Sequence, residues 1–152
     1  MHARKSLLET TIGYTFLPHT TDAYVQAAGN TIEEAFAYAA IALIDTMCNA
    51  GAVVGSTNEK LHVEARDEVT LLQSWLELLL LKFELEDRVF SRFDTLKITR
   101  QDGTVLLDCI GSGEMYDKGK HGAKVEVKAV TLHRMEVLPG DRLTIVRFIL
   151  DL

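Results

Sequence analysis

The chain has almost nothing with which to staple itself. Its 152 residues contain two cysteines, Cys48 and Cys109, far apart and without CxxC spacing. Cys48 ends a helical pattern and Cys109 lies in a strand pattern, so both are expected to be buried, reduced and inert. That excludes a disulfide framework and fits a reducing, cytoplasmic setting. Long apolar runs are missing as well. The leucine-rich stretch Leu76 to Leu81 is far too short to span a bilayer. Met1 to Thr11 carries basic residues but lacks the apolar centre of a secretion signal. No membrane association is expected. Positive charge is scarce: 16 Lys and Arg stand against 22 Asp and Glu, a net charge of −6. A free-standing nucleic-acid binder is therefore excluded, because its affinity comes from neutralising phosphates. The local cluster Lys118, Lys120, His121 and Lys124 still leaves room for contact with RNA held by another protein. Catalytic signatures are absent too: there is no GxSxG, P-loop, HExxH or GxGxxG.

What is present is a soluble composition, 47% apolar and 25% charged, in a length that suits one domain. A domain of this size buries roughly 68–70% of its unfolded surface and needs no metal or disulfide to fold. Residues 1–13 are read as an N-terminal extension and 14–152 as the domain. Tyr14 to Leu17 reads as a strand stopped by Pro18, and Ala23 to Ala28 as a second. Thr31-Ile-Glu-Glu34 is a capping box opening a helix to about Cys48. Gly51 to Glu59 reads as a loop and Leu61 to Ala65 as a strand. Asp67 is an N-cap for a second helix, so rich in leucine that it is expected to be sandwiched or to lie at a subunit contact. Leu96 to Thr99 and Val105 to Ile110 form a hairpin around Asp102-Gly103. Gly111 to Gly122 reads as a long, glycine-rich loop. Pro139-Gly140-Asp141 is a turn. Leu143 to Leu152, apolar on nearly both faces, reads as a strand in the middle of a sheet. The fold class is α+β, two helices packed on a mixed, mostly antiparallel β-sheet.

Two stretches invite a functional reading. Lys124 to Val137 alternates as a strand does, with Val125, Val127, Ala129, Met135 and Val137 on one face and Glu126 and Lys128 on the other. With Lys120, His121 and His133 nearby, it gathers many proton donors and acceptors, although a solvated strand face would look the same. At the chain end, Asp151 and the Leu152 α-carboxylate stand one residue apart. A solvated terminus explains this. So does a hard-cation site, with Asp22 as a third oxygen donor. His19 and His133 offer a zinc alternative that their spacing does not support.

Phe16 to Asp22 (FLPHTTD), Thr31 to Phe36 (TIEEAF), the leucine-rich second helix, Lys120-His121, Val125 to His133 (VEVKAVTLH) and the terminal Asp-Leu occur in one order. In that order the chain resembles the archease family over roughly Tyr14 to Leu152. The resemblance implies a protein that assists an RtcB-type RNA ligase in tRNA splicing, promoting ligase guanylylation and repeated turnover without being an enzyme itself. tRNA would be met only through the ligase. It further implies a divalent-metal site, carried over to Asp22 and Asp151 with Leu152 beside them, for calcium first and magnesium or manganese next. Lys120, His121, Glu126 and Lys128 are carried over as partner-facing. Thr21 stands where alanine is usual, and Leu132 where tyrosine is frequent. The rival readings are a small metal-dependent hydrolase using Asp22, Asp151 and His133, and a chaperone-like structural oligomer.

Overall fold

A computed structural model describes residues 10–19 and 21–152, so most of the expected N-terminal extension lies outside the described residues. The first helix, α1 (Ile32–Met47), begins where its capping box stands. Thr31 Oγ1 accepts the Glu34 amide at 3.1 Å, and Glu34 reaches back to the Asn30 amide at 3.3 Å. These contacts satisfy donors that the first helical turn leaves open. The second helix, α2 (Glu68–Glu86), is capped by Asp67, which accepts the Thr70 amide at 2.8 Å. It ends at Asp87, whose backbone is left-handed at φ 52°.

The strands are β1 (Gly13–Leu17), β2 (Ala23–Gly29), β3 (Thr57–Ala65), β4 (Arg88–Gln101), β5 (Thr104–Met115), β6 (Ala129–Pro139) and β7 (Thr144–Asp151). They divide into a four-stranded sheet, β1-β2-β7-β6, and a three-stranded sheet, β3-β5-β4. Every pairing among the described strands is antiparallel. The α+β class therefore holds, with two sheets in place of one. Each helix touches both sheets: α1 meets β1, β2, β7 and β4, and α2 meets β6 and β3 to β5. The helices thus form a middle layer, which accounts for the apolar breadth of both. Leu71, Leu72, Trp75, Leu76 and Leu79 are buried along α2. The buried Trp75 indole donates to the Phe36 carbonyl at 3.0 Å and so ties α2 to α1. As a buried donor it would cost about 1–3 kcal/mol if left unpaired. β7 lies inside its sheet, between β2 and β6, as its two apolar faces predict.

Two expectations are corrected. Gly111 to Gly122 is not one loop, because β5 runs on to Met115 and a short helix α3 (Lys118–His121) follows. Gly111 and Gly113 are strand glycines whose missing Cβ admits a neighbour. A Cβ on Gly111 would meet the Leu61 and Phe90 side chains at 2.8 Å, and one on Gly113 would collide with the Val89 carbonyl. Glycine here marks close approach, not a loop. Nor is Lys124 to Lys128 strand, since β6 starts only at Ala129. The amides that a strand would need are used elsewhere. Lys124 N–H donates to the Met47 carbonyl at 2.9 Å and Val125 N–H to that of Thr46 at 3.3 Å. These residues form a strap across the end of α1. Further on, β6 slips register between Thr131 and Glu136, and Arg134 adopts φ 59° there. The simple alternation expected through His133 is therefore broken.

Candidate functional site at the chain terminus

β2 and β7 pair with Ala23 opposite Leu150. Asp22 immediately precedes Ala23 and Asp151 immediately follows Leu150, so the two residues flank the last pair of this register. The topology therefore brings two carboxylates that are 129 positions apart in sequence to the same end of the β2–β7 pair. Asp22 is 28% exposed, with His19 Nδ1 3.8 Å from its Oδ2. Asp151 is exposed and pairs with Ala129 of β6. Leu152 packs against the core, and Leu150 before it is fully buried. The end of the chain is thus held in the fold. The Lys128 amide adds a further tie, donating to the Asp151 carbonyl at 2.7 Å.

A cavity of about 400 Å³ opens at this end, lined by Asp22, Leu152, Phe16, Asp45, Lys124 and Val125 among others. Asp151 itself does not line it. The chemistry offered by Asp22, Asp151 and the α-carboxylate is all-oxygen, which suits calcium, magnesium or manganese. Among the described residues no group of three His, Cys, Asp or Glu side chains has metal-binding geometry. A cation here would therefore need the terminal carboxylate, main-chain oxygens or water to complete its shell. Thiolate ligation is remote, because both cysteines are buried and burial pushes the Cys109 thiol up to about 12.

The residues read as partner-facing separate into two groups. Glu126 and Lys128 lie exposed on the strap, and neither forms an ion pair with another described residue. Lys120 is exposed but bound to Glu114 at 2.8 Å. His121 departs from the expectation, because its ring is 1% exposed and faces inward. Its Nδ1 accepts the Asp117 amide at 2.9 Å, which leaves Nε2 to donate to Glu114 at 2.8 Å. Tyr116 stacks on the ring. Glu114 also accepts the Val54 amide at 2.8 Å. Hydrogen bonds from Lys120 first, then from the Val54 amide and His121, hold the Glu114 carboxyl down at about 2. The Lys-His pair therefore anchors α3 and the start of the strap. His133 is exposed in the irregular part of β6.

Sequence reasoning missed Asp45. It sits in the last turn of α1 and gathers three donors. The Tyr14 hydroxyl reaches Oδ2 at 3.0 Å, while the Ala50 amide at 3.2 Å and the Lys124 ammonium at 3.2 Å reach Oδ1. Burial opposes its ionisation, but the Ala50, Lys124 and Tyr14 bonds outweigh burial and lower its pKa. Lys124 also donates to the Asp45 carbonyl at 2.9 Å. It supplies from outside the cation that the last turn of α1 lacks and that a helix C-terminus favours. One signal was available: Asp45 is the only charged residue between Glu34 and Glu59.

Among the described residues no helix is long and apolar enough to cross a membrane. Residues 14–152 match the family model described as the archease protein family. A protein named archease from Methanothermobacter thermautotrophicus is 37% identical over 140 residues, covering 92% of this chain and 99% of its own length. One from Pyrococcus furiosus is 39% identical over 126 residues, covering 82% of this chain and 88% of its own. The solution structure of Methanobacterium thermoautotrophicum protein 1598 superposes with a TM-score of 0.79 at 34% identity, covering 92% of this chain and 99% of that one. With a matching sequence over its whole domain and a matching fold, the chain belongs to the archease family.

Proposed function

We propose that this protein is a non-enzymatic activator of an RtcB-type RNA ligase, promoting ligase guanylylation and multiple turnover in tRNA splicing in the cytoplasm. The observation that supports the reading is the end of the β2–β7 pair, where Asp22 and Asp151 flank the last paired residues, Ala23 and Leu150, beside an anchored C-terminus. Asp22, Asp151 and the Leu152 carboxylate would hold a divalent cation, calcium before magnesium or manganese. Such a cation supplies charge neutralisation for nucleotidyl transfer. This chain's own residues do the rest. The carboxylates face the partner from a fixed terminus, and the strap presents Glu126 and Lys128 beside them. Lys120 is exposed at the same segment, while His121 supports it from within. An acidic helper of this kind leaves RNA to the ligase, in keeping with its net charge of −6.

The test adds the purified protein to a slow-turnover ligase with GTP and a divalent metal. Ligase guanylylation and the number of ligations per ligase molecule should both rise. Unchanged guanylylation and turnover would reject the reading. Incubating the protein alone with nucleotides and phosphoesters should give no turnover, whereas hydrolysis would favour a metal-dependent hydrolase.

A further inference from the structure

Two arms of the chain reach the terminal site. The first is β1, whose Phe16 and Leu17 line the cavity and whose end leads through Pro18 and His19 to Asp22. The second is the strap, which starts at Lys124 and ends at Lys128, the residue bonded to the Asp151 carbonyl. Neither arm is fixed at this point by long regular pairing alone. β1 is a five-residue edge strand, and the strap has no sheet partner until Ala129.

Asp45 holds both. Its Oδ2 takes the Tyr14 hydroxyl of the first arm, and its Oδ1 takes the Lys124 ammonium of the second. A third bond, from the Ala50 amide, fixes the carboxylate itself against the turn that follows α1. Asp45 also lines the cavity shared by Asp22 and Leu152, so a ligand role has to be weighed. The bonding argues against it. A carboxylate offers about four lone-pair sites, and three of these are directed at protein donors. We infer that Asp45 is a positioning residue of the terminal cation site: through Tyr14 and Lys124 it braces the β1 arm and the strap that flank the paired strands carrying Asp22 and Asp151, and it does not itself bind the cation. The inference rests on the metal-bearing part of the function proposed above.

The experiment titrates the full chain with Tb³⁺, read by sensitised luminescence, and follows amide hydrogen exchange at Lys128 in parallel. Asp45→Ala should weaken Tb³⁺ binding about tenfold or more, the usual effect of losing a residue that orients metal ligands. It should also speed exchange at Lys128. Tyr14→Phe changes no charge and removes one tie, so it should weaken binding in the same direction by a smaller factor. Asp45→Asn keeps an acceptor oxygen and should retain more affinity than Asp45→Ala. Asp22→Asn should reduce Tb³⁺ binding and leave Lys128 exchange unchanged. Binding lost equally in Asp45→Asn and Asp45→Ala, with Tyr14→Phe like the wild type, would overturn positioning in favour of a ligand or charge role and leave the metal site standing. Failure of the wild-type chain to bind Tb³⁺ would instead overturn the metal site, and Lys128 exchange in Tyr14→Phe and Asp45→Asn would then decide whether Asp45 positions the terminus at all.

Discussion

The amide of Lys128 donates to the carbonyl of Asp151 across 2.7 Å. Chain ends are normally frayed, but this one is held from two sides. The strap grips its main chain, and Leu150 and Leu152 pack into or against the core. The backbone of Lys128 is therefore committed to structure, while its side chain remains exposed. Main chain and side chain can be perturbed separately.

Lys128→Glu should weaken ligase stimulation while leaving the fold intact. Exposed charges contribute about 0–1 kcal/mol to stability, and the Lys128 amide bond survives a side-chain change. Thermal unfolding of the variant should stay close to the wild type, and guanylylation assays should show the loss. A large drop in melting temperature would make Lys128 structural.

Glu114 should confer an acid-sensitive stability. Its carboxyl lies at about 2, below its ordinary value of 4.5, chiefly because of the Lys120 hydrogen bond, then the Val54 amide and His121. A depressed folded-state value stabilises the fold above the unfolded value, and the stabilisation fades as pH falls through the folded one. The wild type should therefore exceed Glu114→Gln in stability near neutrality. The gap should shrink below pH 4.5 and close near pH 2. Urea unfolding of the two proteins at stepped pH measures it, and a gap independent of pH would refute the role assigned to this carboxylate.

Gly113→Ala should be among the most damaging small changes in the chain. A Cβ there collides with the Val89 carbonyl, part of the backbone of the neighbouring strand, and no side chain can turn away to make room. Overpacking of this kind costs about 1–3 kcal/mol, occasionally more. Denaturant unfolding should show a shifted midpoint. Gly103→Ala makes a useful contrast, since open space surrounds that position and only its φ of 78° opposes the change.

Local signals carried much of this fold. The Thr31 capping box, the Asp67 cap and the Asp102-Gly103 turn each fix a boundary by a bond or dihedral contained within a few residues. The central place of β7 was legible because both its faces are apolar. What escaped depends on partners distant in sequence. Gly111 and Gly113 look like loop glycines until Phe90 and Val89 are set against them. Lys124 to Lys128 alternates like a strand, but the Lys124 and Val125 amides go to the α1 carbonyls of Met47 and Thr46, 77 and 79 residues earlier. His121 reads as a surface histidine until Glu114 and Asp117 enclose it. At the candidate site, Asp22, Asp151 and the chain end were legible as possible oxygen donors beside the simpler reading of a solvated terminus, and the family resemblance carried the site over to them. Asp45 carried only the weak mark of a lone charge in an apolar helix.

The last prediction concerns the chain end. Because Leu152 packs against the core and shares a cavity with Asp22, its α-carboxylate has a defined place one residue beyond Asp151. A C-terminal tag would remove that charge and thread new chain through the cavity. An N-terminal tag attaches at the far end of the sequence from Asp151 and Leu152 and leaves the α-carboxylate in place. Metal affinity and ligase stimulation should therefore fall with the C-terminal tag and survive the N-terminal one. Asp151→Asn should also reduce metal binding, because it keeps the shape but removes the negative charge that a hard cation needs. Its effect should exceed that of the tag if the Asp151 side chain is the stronger donor. Equal metal binding by the native end, the C-terminally tagged form and Asp151→Asn would remove the terminal site from the mechanism and leave β7 as a strand that ends the chain for packing alone.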